Sequence, residues 1–464
     1  MADTETIAAL ATSPAPAGIA VVRVSGSRAK KALRSIFRSK RSPLKHPREL
    51  IFGQYVDFKS NEVIDNGLAV FMPGPFSYTG EDIAEFQLHG SLLLVQKILR
   101  SLYAFGVTPA EPGEFSKRAF LNGKMDLPQA EAIADLVGST SDVALRVAAE
   151  QMKGRLSEAI KEIGEPLRNI LAEIEASIDF PEEDIKPETI SAIALKLYDA
   201  RDRIETMVDT YSFGQVLREG FRVLLCGAPN AGKSSLLNTL LGAPRAIVTH
   251  IPGTTRDLIE EEAIYSGYRF IFCDSAGITE TKDEVERIGV ELAKDRLKWA
   301  DLALLVVDGS EQAAPSLPAW KEVLKTVKDS SVKVWLLINK IDIAPDAFSR
   351  FAAEASVCDR LFYLSAKTKE GLEYITEALV EEVRSRVPDR AESSVVITSE
   401  RHRNCLKRAS GALERTVDAI EGKMPIEFVS AELRLALASL DEIIGKTWNE
   451  DILGRIFSKF CIGK

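Results

Sequence analysis

The 464-residue sequence predicts a multidomain chain: an α+β N-terminal domain, then an all-α helical domain, with an α/β unit of the parallel, doubly wound kind inserted into it. Three changes of texture carry this expectation. Residues 1–122 mix the β-like runs GIAVVRV, LIFGQYVDF, NGLAVFM and IAEFQLHG with helical patterns at 27–38 and 91–105. Residues 123–219 are helical almost throughout, in DLPQAEAIADLVGSTSDVALRVAAEQM, LSEAIKEIGEPLRNILAEIEASI and ETISAIALKLYDARDRIETMV. Residues 220–387 alternate the apolar runs FRVLLCG, FIFCD, LALLVVD, VWLLINK and LFYLS with helical stretches, as a parallel sheet requires. Residues 388–464 open within the linker RVPDRAESS (386–394) and then return to helical periodicity. Helical texture on both sides of the alternating segment implies an insertion, which neighbouring termini make easy.

Composition bounds the function. Hydrophobic residues make up 45% and charged residues 27% of the chain, as in ordinary globular proteins. The longest apolar runs, LALLVV and VWLLI, are too short to span a bilayer and read as buried strands. The N-terminal stretch begins acidic with only a brief apolar segment, unlike a secretory signal. Five cysteines (226, 273, 358, 405 and 461) are scattered without C-x-x-C spacing, which points to a reducing compartment and away from a disulfide frame or zinc site. A net charge of −9 gives no global attraction to nucleic acid, so any such contact needs a local patch. One is present: residues 28–48 hold nine Lys/Arg and no acid. It reads either as a solvated helix face with its loop, or as a surface for RNA or an acidic partner.

GAPNAGKSS (227–235) fits G-x-x-x-x-G-K-[ST] between an apolar run and the helical SSLLNTLLG. Gly227 and Gly232 let the backbone close around phosphate, and the N–H groups from Asn230 through Ala231, Gly232, Lys233, Ser234 and Ser235 point inward. Lys233 faces the β/γ-phosphates, the Ser234 hydroxyl suits Mg²⁺, and the helix N-terminus adds positive potential. Asp274-Ser275-Ala276-Gly277 ends the next strand, with Asp274 placed for a water-mediated Mg²⁺ contact and Gly277 for the γ-phosphate. Asn339-Lys340-Ile341-Asp342 follows VWLLI, and Asp342 offers two acceptors to guanine N1–H and the 2-amino group. Adenine cannot satisfy that pattern, and an unpaired buried acceptor is costly. Ser365-Ala366-Lys367 ends LFYL and suits guanine O6. Each motif alone is weak; four in this order, each at a strand end, specify a GTP-binding domain.

VTHIPGTTRD (248–257) occupies the switch I position, from Thr249, His250, Ile251, Pro252, Gly253 and Thr254 to Thr255, the natural second Mg²⁺ hydroxyl. Where Ras-like enzymes carry a water-orienting Gln after DxxG, this chain has Ile278. Glu286 is the nearest plausible carboxylate; on pattern alone it reads more readily as part of a solvated helix face.

GxPNxGKSSLLN, IxGTTRD-type switch residues, DSAG followed by an aliphatic residue and DEVERIG, together with the N-terminal α+β region, the split helical region and the CIGK end, resemble the MnmE (TrmE) family of tRNA-modification GTPases over essentially the whole chain. The resemblance implies a tetrahydrofolate-binding-like N-terminal domain, an all-α domain and an inserted Ras-like α/β P-loop GTPase domain. It implies GTP hydrolysis with Mg²⁺, activated by G-domain dimerisation. A K⁺ ion would stand in for an arginine finger, held by Asn230, Thr249, Ile251 (through its carbonyl) and Thr254. Glu286 would orient water through a bridging solvent molecule. The implied product is a 5-carboxymethylaminomethyl-type wobble uridine on tRNA, made in the cytoplasm by a homodimer with the flavin-dependent partner MnmG (GidA). The implied one-carbon donor is 5-formyltetrahydrofolate or another tetrahydrofolate, at Arg23, Glu81, Lys124 and Lys464, with Cys461 as a catalytic thiol.

Those donor-site residues make chemical sense beside the resemblance: a carboxylate suits the donor-rich pterin edge, and Arg or Lys suits folate's glutamate tail. On pattern alone, Thr79-x-x-Asp82 reads as a capping box at a helix start. The Cys461-Ile462-Gly463-Lys464 end has the outline of a prenylation box, but Lys is atypical at its last position and no polybasic run precedes it. It reads better as part of the one-carbon site, with no membrane attachment. The rival functional class is a nucleotide switch in ribosome assembly or signalling, whose signature would be an RNA-binding domain with a basic surface or a lipidated tail.

Overall fold

The computed structural model describes residues 5–179, 187–228, 230–242, 260–274, 297–310, 321, 324–325, 332–387 and 395–464. The chain divides into two compact units: residues 1–137, 149–196 and 412–464 form one, and residues 138–148 and 197–411 the other.

The first unit is built on a seven-stranded sheet in the order β3-β4-β5-β6-β2-β1-β7. Its strands are β1 (Ile7–Leu10), β2 (Ala17–Ser25), β3 (Phe37–Arg38), β4 (Ile51–Val56), β5 (Val63–Met72), β6 (Ile83–Gly90) and β7 (Thr108–Pro109). All pairings are antiparallel except β1 with β7. Period-2 alternation sorts the side chains. Ala8, Val22, Val24, Ala84 and Phe86 face a core closed by the helices Ala29–Ile36 and Leu92–Phe105. Ile7 and Ala9 face the other way, onto Phe115 of the helix Glu114–Leu121. The helix Ala29–Ile36 buries Ala29, Ala32, Leu33 and Ile36, so its basic residues point outward.

Helices complete this unit. The expected helical run from Asp126 breaks into Leu127–Gly138 and Asp142–Met152, whose residues 142–148 count with the second unit, followed by Arg155–Asp179. Arg155–Asp179 and Ile426–Ile444 are joined by ion pairs from Arg168 to Asp441 and from Arg434 to Glu175. The last helix, Glu450–Phe457, starts at Asn449, whose side chain accepts from the Ile452 N–H at 2.8 Å. Its Leu453 and Phe457, with Phe460 beyond it, pack against Phe120, Leu127 and Ala130. That cluster fixes where the C-terminal tail emerges.

The second unit carries a six-stranded sheet in the order β13-β12-β11-β8-β10-β9. The strands are β8 (Phe221–Gly227), β9 (Glu260–Tyr265), β10 (Tyr268–Asp274), β11 (Leu302–Asp308), β12 (Lys333–Asn339) and β13 (Arg360–Tyr363). Only β9 runs antiparallel, in a hairpin with β10 across Ser266 (φ 48°) and Gly267 (φ +80°). Phe221, Phe270, Phe272 and Trp335 fill one side of the sheet and Leu305, Leu336 and Ile338 the other. Buried on both faces, these strands read as continuous apolar runs. The chain reverses winding direction beside β8, and ligands of such sheets lie at the strand C-termini at that point. Among the described residues, no helix is long and apolar enough to cross a membrane.

Candidate functional site

β8 delivers the phosphate loop. Asn230 stands there at φ +64°, Gly232 at φ +97°, and the helix Lys233–Leu241 begins immediately after. A methyl group on Gly232 would lie 2.2 Å from Asn339 Nδ2, so glycine is required by a close approach as well as by its φ. Lys233 is buried, and its ammonium donates to the Gly227 and Ala228 carbonyls at 3.0 and 2.9 Å. Its charge is therefore held against the loop, ready for phosphate. The Ser234 hydroxyl donates to Asp274 Oδ2 at 3.0 Å, across from β8 to the end of β10. A hydroxyl beside a carboxylate is a hard-oxygen pair of the kind Mg²⁺ takes. Beneath the loop, burial pushes the Cys226 thiol up to about 12, so it offers no nucleophile.

The base-recognition side is tied to this loop by Asn339. Its Nδ2 donates to the Ala231 carbonyl at 2.9 Å, while its Oδ1 accepts from the N–H of Lys340 (2.8 Å) and of Ala366 (3.0 Å). One buried amide thus joins three motifs. Ser365, also buried, donates to Asp342 Oδ1 at 2.7 Å and accepts from the Thr368 N–H at 3.1 Å. Asp342 is thereby oriented as an acceptor. Lys367 is exposed on the same loop.

Sequence reasoning overlooked Asp308, at the end of β11. Its carboxylate is ion-paired to Lys340 and accepts from the Ser310 N–H (2.8 Å) and hydroxyl (2.6 Å). Burial opposes its ionisation, but the bonds from Lys340 and Ser310 prevail and hold it below the usual carboxylate range. The available signal was a lone acid closing the apolar run LALLVV. Ser235 lies in the first turn of the phosphate-loop helix. The expectations placed on Thr249, His250, Ile251, Pro252, Gly253, Thr254, Thr255, Ser275, Ala276, Gly277 and Glu286 lie outside the described residues.

The second set of candidates gathers in the first unit. Arg23, on β2, donates to Glu85 Oε1 at 2.8 Å and sits 5.4 and 5.6 Å from the Tyr78 and Phe115 ring centroids. Glu81 accepts from Ser25 Oγ at 2.7 Å and from Arg118 Nη1 at 3.2–3.3 Å. Arg118 in turn holds Glu114 through Nη2 at 2.7 Å, which makes it a rigid bridge between two carboxylates. Arg118, Ser25, Tyr78 and Phe115 were not anticipated from the sequence. Lys124 donates to the Pro75 carbonyl at 3.0 Å, and its side chain lies beside Gly80.

Thr79 does not cap a helix. Its hydroxyl accepts from the Glu81 N–H at 3.2 Å in a tight turn, and β6 follows at Ile83. The capping-box pattern is satisfied equally by a turn that leads into a strand.

The tail is seated in the same unit. Ile462 makes an antiparallel bridge with Pro112, and a methyl group on Gly463 (φ +98°) would lie 2.0 Å from the Leu10 carbonyl oxygen. Cys461 is exposed while Phe460 and Gly463 are buried. Burial lowers the Lys464 ammonium below the usual lysine range; the Cys461 side chain opposes this and the Arg23 guanidinium adds to it. The tail therefore lies against Leu10 of β1, the strand whose Ala9 pairs with Arg23 of β2.

Residues 6–124 match the family described as GTP-binding protein TrmE N-terminus, and residues 127–461 match the MnmE helical domain family. Proteins called tRNA modification GTPase MnmE are similar over nearly the whole length. The one from Alkaliphilus metalliredigens is 41% identical, covering 99% of both chains, and the one from Clostridioides difficile 40%, covering 99% of both. That from Syntrophotalea carbinolica is 43% identical, covering 100% of both.

Proposed function

The chain belongs to the MnmE family of tRNA modification GTPases, and from that membership we propose that its GTP hydrolysis serves formation of a 5-carboxymethylaminomethyl-type uridine at the tRNA wobble position. The reaction would proceed with the flavin-dependent partner MnmG (GidA), in a hetero-oligomer, with a tetrahydrofolate one-carbon donor such as 5-formyltetrahydrofolate. The same proposal keeps domain boundaries at 122/123, 219/220 and 387/388, and a cytoplasmic location.

On the nucleotide side, Lys233 and the loop N–H groups bind the phosphates, and Ser234, Asp274 and Thr255 serve Mg²⁺. Asp342 reads guanine. Asn230, Thr249, Ile251 and Thr254 would hold K⁺, and Glu286 would orient the attacking water. On the donor side, Glu81 binds the pterin edge, with Arg118 and Ser25 fixing its orientation. Arg23, Lys124 and Lys464 meet the anionic end, and Cys461 handles the one-carbon unit. A homodimer through the first unit is supported by its sheet, which leaves Phe52 and Ile19 exposed at 68% and 60%.

The observation that supports this reading over a nucleotide switch is the seating of the tail, which brings the Cys461–Lys464 end against Pro112 and Leu10, beside the strand pair that carries Arg23. A switch would have no use for such a seat. The test is mass spectrometry of wobble uridines from cells lacking the protein. The modification disappears and is restored by the full chain, but not by one lacking Cys461–Lys464, although that protein still turns over GTP. Unchanged modification in the deleted cells would overturn the reading in favour of the switch.

A further inference from the structure

We propose that the outer face of the helix Ala29–Ile36 and the loop that follows it, through Arg48, is a docking surface for the phosphate backbone of tRNA. This rests on the tRNA reading above and gives it a place on the molecule.

All nine basic residues of the segment are exposed: Arg28, Lys30, Lys31, Arg34, Arg38, Lys40, Arg41, Lys45 and Arg48. Two of them meet a carboxylate, Lys30 with Asp82 at 3.1 Å and Arg41 with Glu49 at 3.1 Å. The other seven have no carboxylate partner among the described residues. Arg28 donates to the Gly106 carbonyl at 2.9 Å, Arg38 to the Arg34 carbonyl at 2.6 Å, and Arg48 to the Phe76 carbonyl at 2.8 Å. These neutral acceptors fix the side chains without cancelling their charge.

The surface is also held in place. Pro43 is buried and Leu44 packs on the helix-covered core of the sheet. Within the loop, the Lys45 N–H bonds to the Ser42 carbonyl at 3.0 Å and the Arg48 N–H to the Phe71 carbonyl at 2.8 Å. A chain of net charge −9 that keeps seven uncompensated cations on one ordered segment has concentrated its attraction for anions there.

Two features favour RNA over an acidic protein. Protein interfaces have apolar centres and are depleted in lysine, whereas four of these nine residues are lysines and the exposed positions between them are small or polar. At the edge of the patch, Arg48 holds the backbone of Phe76, whose side chain is among the most exposed apolar groups at 77%. An open aromatic face beside phosphate-binding cations suits an unpaired base.

The test uses the full chain and a fluorescein-labelled, unmodified tRNA transcript, with binding measured from 50 to 200 mM NaCl. The variant replaces Lys31, Arg34, Lys40 and Lys45 by Gln; none of these four side chains has a hydrogen-bond or ion-pair partner among the described residues. It should bind the transcript about 10–100-fold more weakly at 50 mM salt, with the slope of log affinity against log salt smaller by about 3. A control replacing Lys97, Arg100 and Lys161, exposed cations elsewhere in the same unit, should bind like the unmodified chain. Basal GTP turnover should stay unchanged in both. Equal affinity and slope for the four-Gln variant would overturn the proposal, as would an unchanged tRNA affinity accompanied by lost affinity for the flavoprotein partner. Failure of the unmodified chain itself to bind the transcript would instead overturn the tRNA reading on which the proposal rests.

Discussion

Asp342 has two possible uses for its carboxylate, and only one is taken internally: Oδ1 accepts from the buried Ser365 hydroxyl. On the proposed guanine reading, the remaining acceptor capacity would meet the base. Replacing Asp342 by Asn puts a donor against guanine's donors, so GTP affinity should fall by two or more orders of magnitude, while xanthosine triphosphate, which has a carbonyl at that position, binds better. Competition between the two nucleotides in equilibrium binding checks this. Asp308 makes a second residue-scale prediction. Its carboxyl is held low in the folded state, so the stability it confers is present above the ordinary carboxylate value of about 4 and lost as pH falls through the depressed folded value. Asp308→Ala should cost roughly 1.5–3 kcal/mol at neutral pH and flatten the acid limb of stability. It should also loosen Lys340 and speed release of guanine nucleotide. Denaturant midpoints measured from pH 3 to 7, with nucleotide dissociation rates, test both effects.

The elements that sequence patterning identified well are those buried on one or both faces over many residues. β8, β10, β11, β12 and β13 sit where the apolar runs place them, and the helices Ala29–Ile36 and Leu92–Phe105 where their periodicity does. What escaped has a common cause. β1, β3 and β7 are two to four residues long, too short to alternate legibly. β9 opens with Glu260, Glu261 and Glu262, because a sheet-edge strand carries charge that looks like loop. The site shows the same division. Motif residues such as Lys233 and Asp342 are singled out by backbone spacing; Arg118 and Asp308 each meet a key partner distant in sequence, Glu81 and Lys340, which no local spacing announces. The tail is an element of this second kind, and its seat includes a close backbone approach at Gly463. Gly463→Ala places a methyl group against the Leu10 carbonyl at a φ that alanine adopts poorly. It should displace Cys461 and Lys464 and abolish tRNA modification, yet leave GTP turnover and thermal stability near those of the unmodified protein. Modification at the usual level in Gly463→Ala would mean that the tail works without its seat.

At the scale of the whole molecule, the nucleotide-binding motifs lie in one compact unit, and the Arg23, Glu81 and tail cluster in the other. On the proposed reading, GTP hydrolysis needs a positive charge beside the transferred phosphate. Phosphoryl transfer spreads negative charge around the β–γ bridge, and an arginine finger that neutralises it is worth ~10³–10⁵ in rate. The chain has Ile278 where a Ras-like enzyme has its water-orienting Gln. Asn230 instead stands exposed in the phosphate loop at φ +64°, and an amide carbonyl is a hard oxygen ligand. With Thr249, the Ile251 carbonyl and Thr254 it would form an oxygen cage for a monovalent cation where the finger tip would lie. GTP turnover should therefore be stimulated strongly by K⁺ and weakly by the smaller Na⁺. It should also rise with protein concentration, as the proposed pairing of GTPase domains requires. Asn230→Ala should remove the K⁺ response and keep Mg²⁺-dependent nucleotide binding, since Ser234 and Asp274 are untouched. Turnover measured in matched K⁺ and Na⁺ buffers across a protein dilution series decides the matter: equal rates in the two salts would return the missing charge to a side chain of the protein.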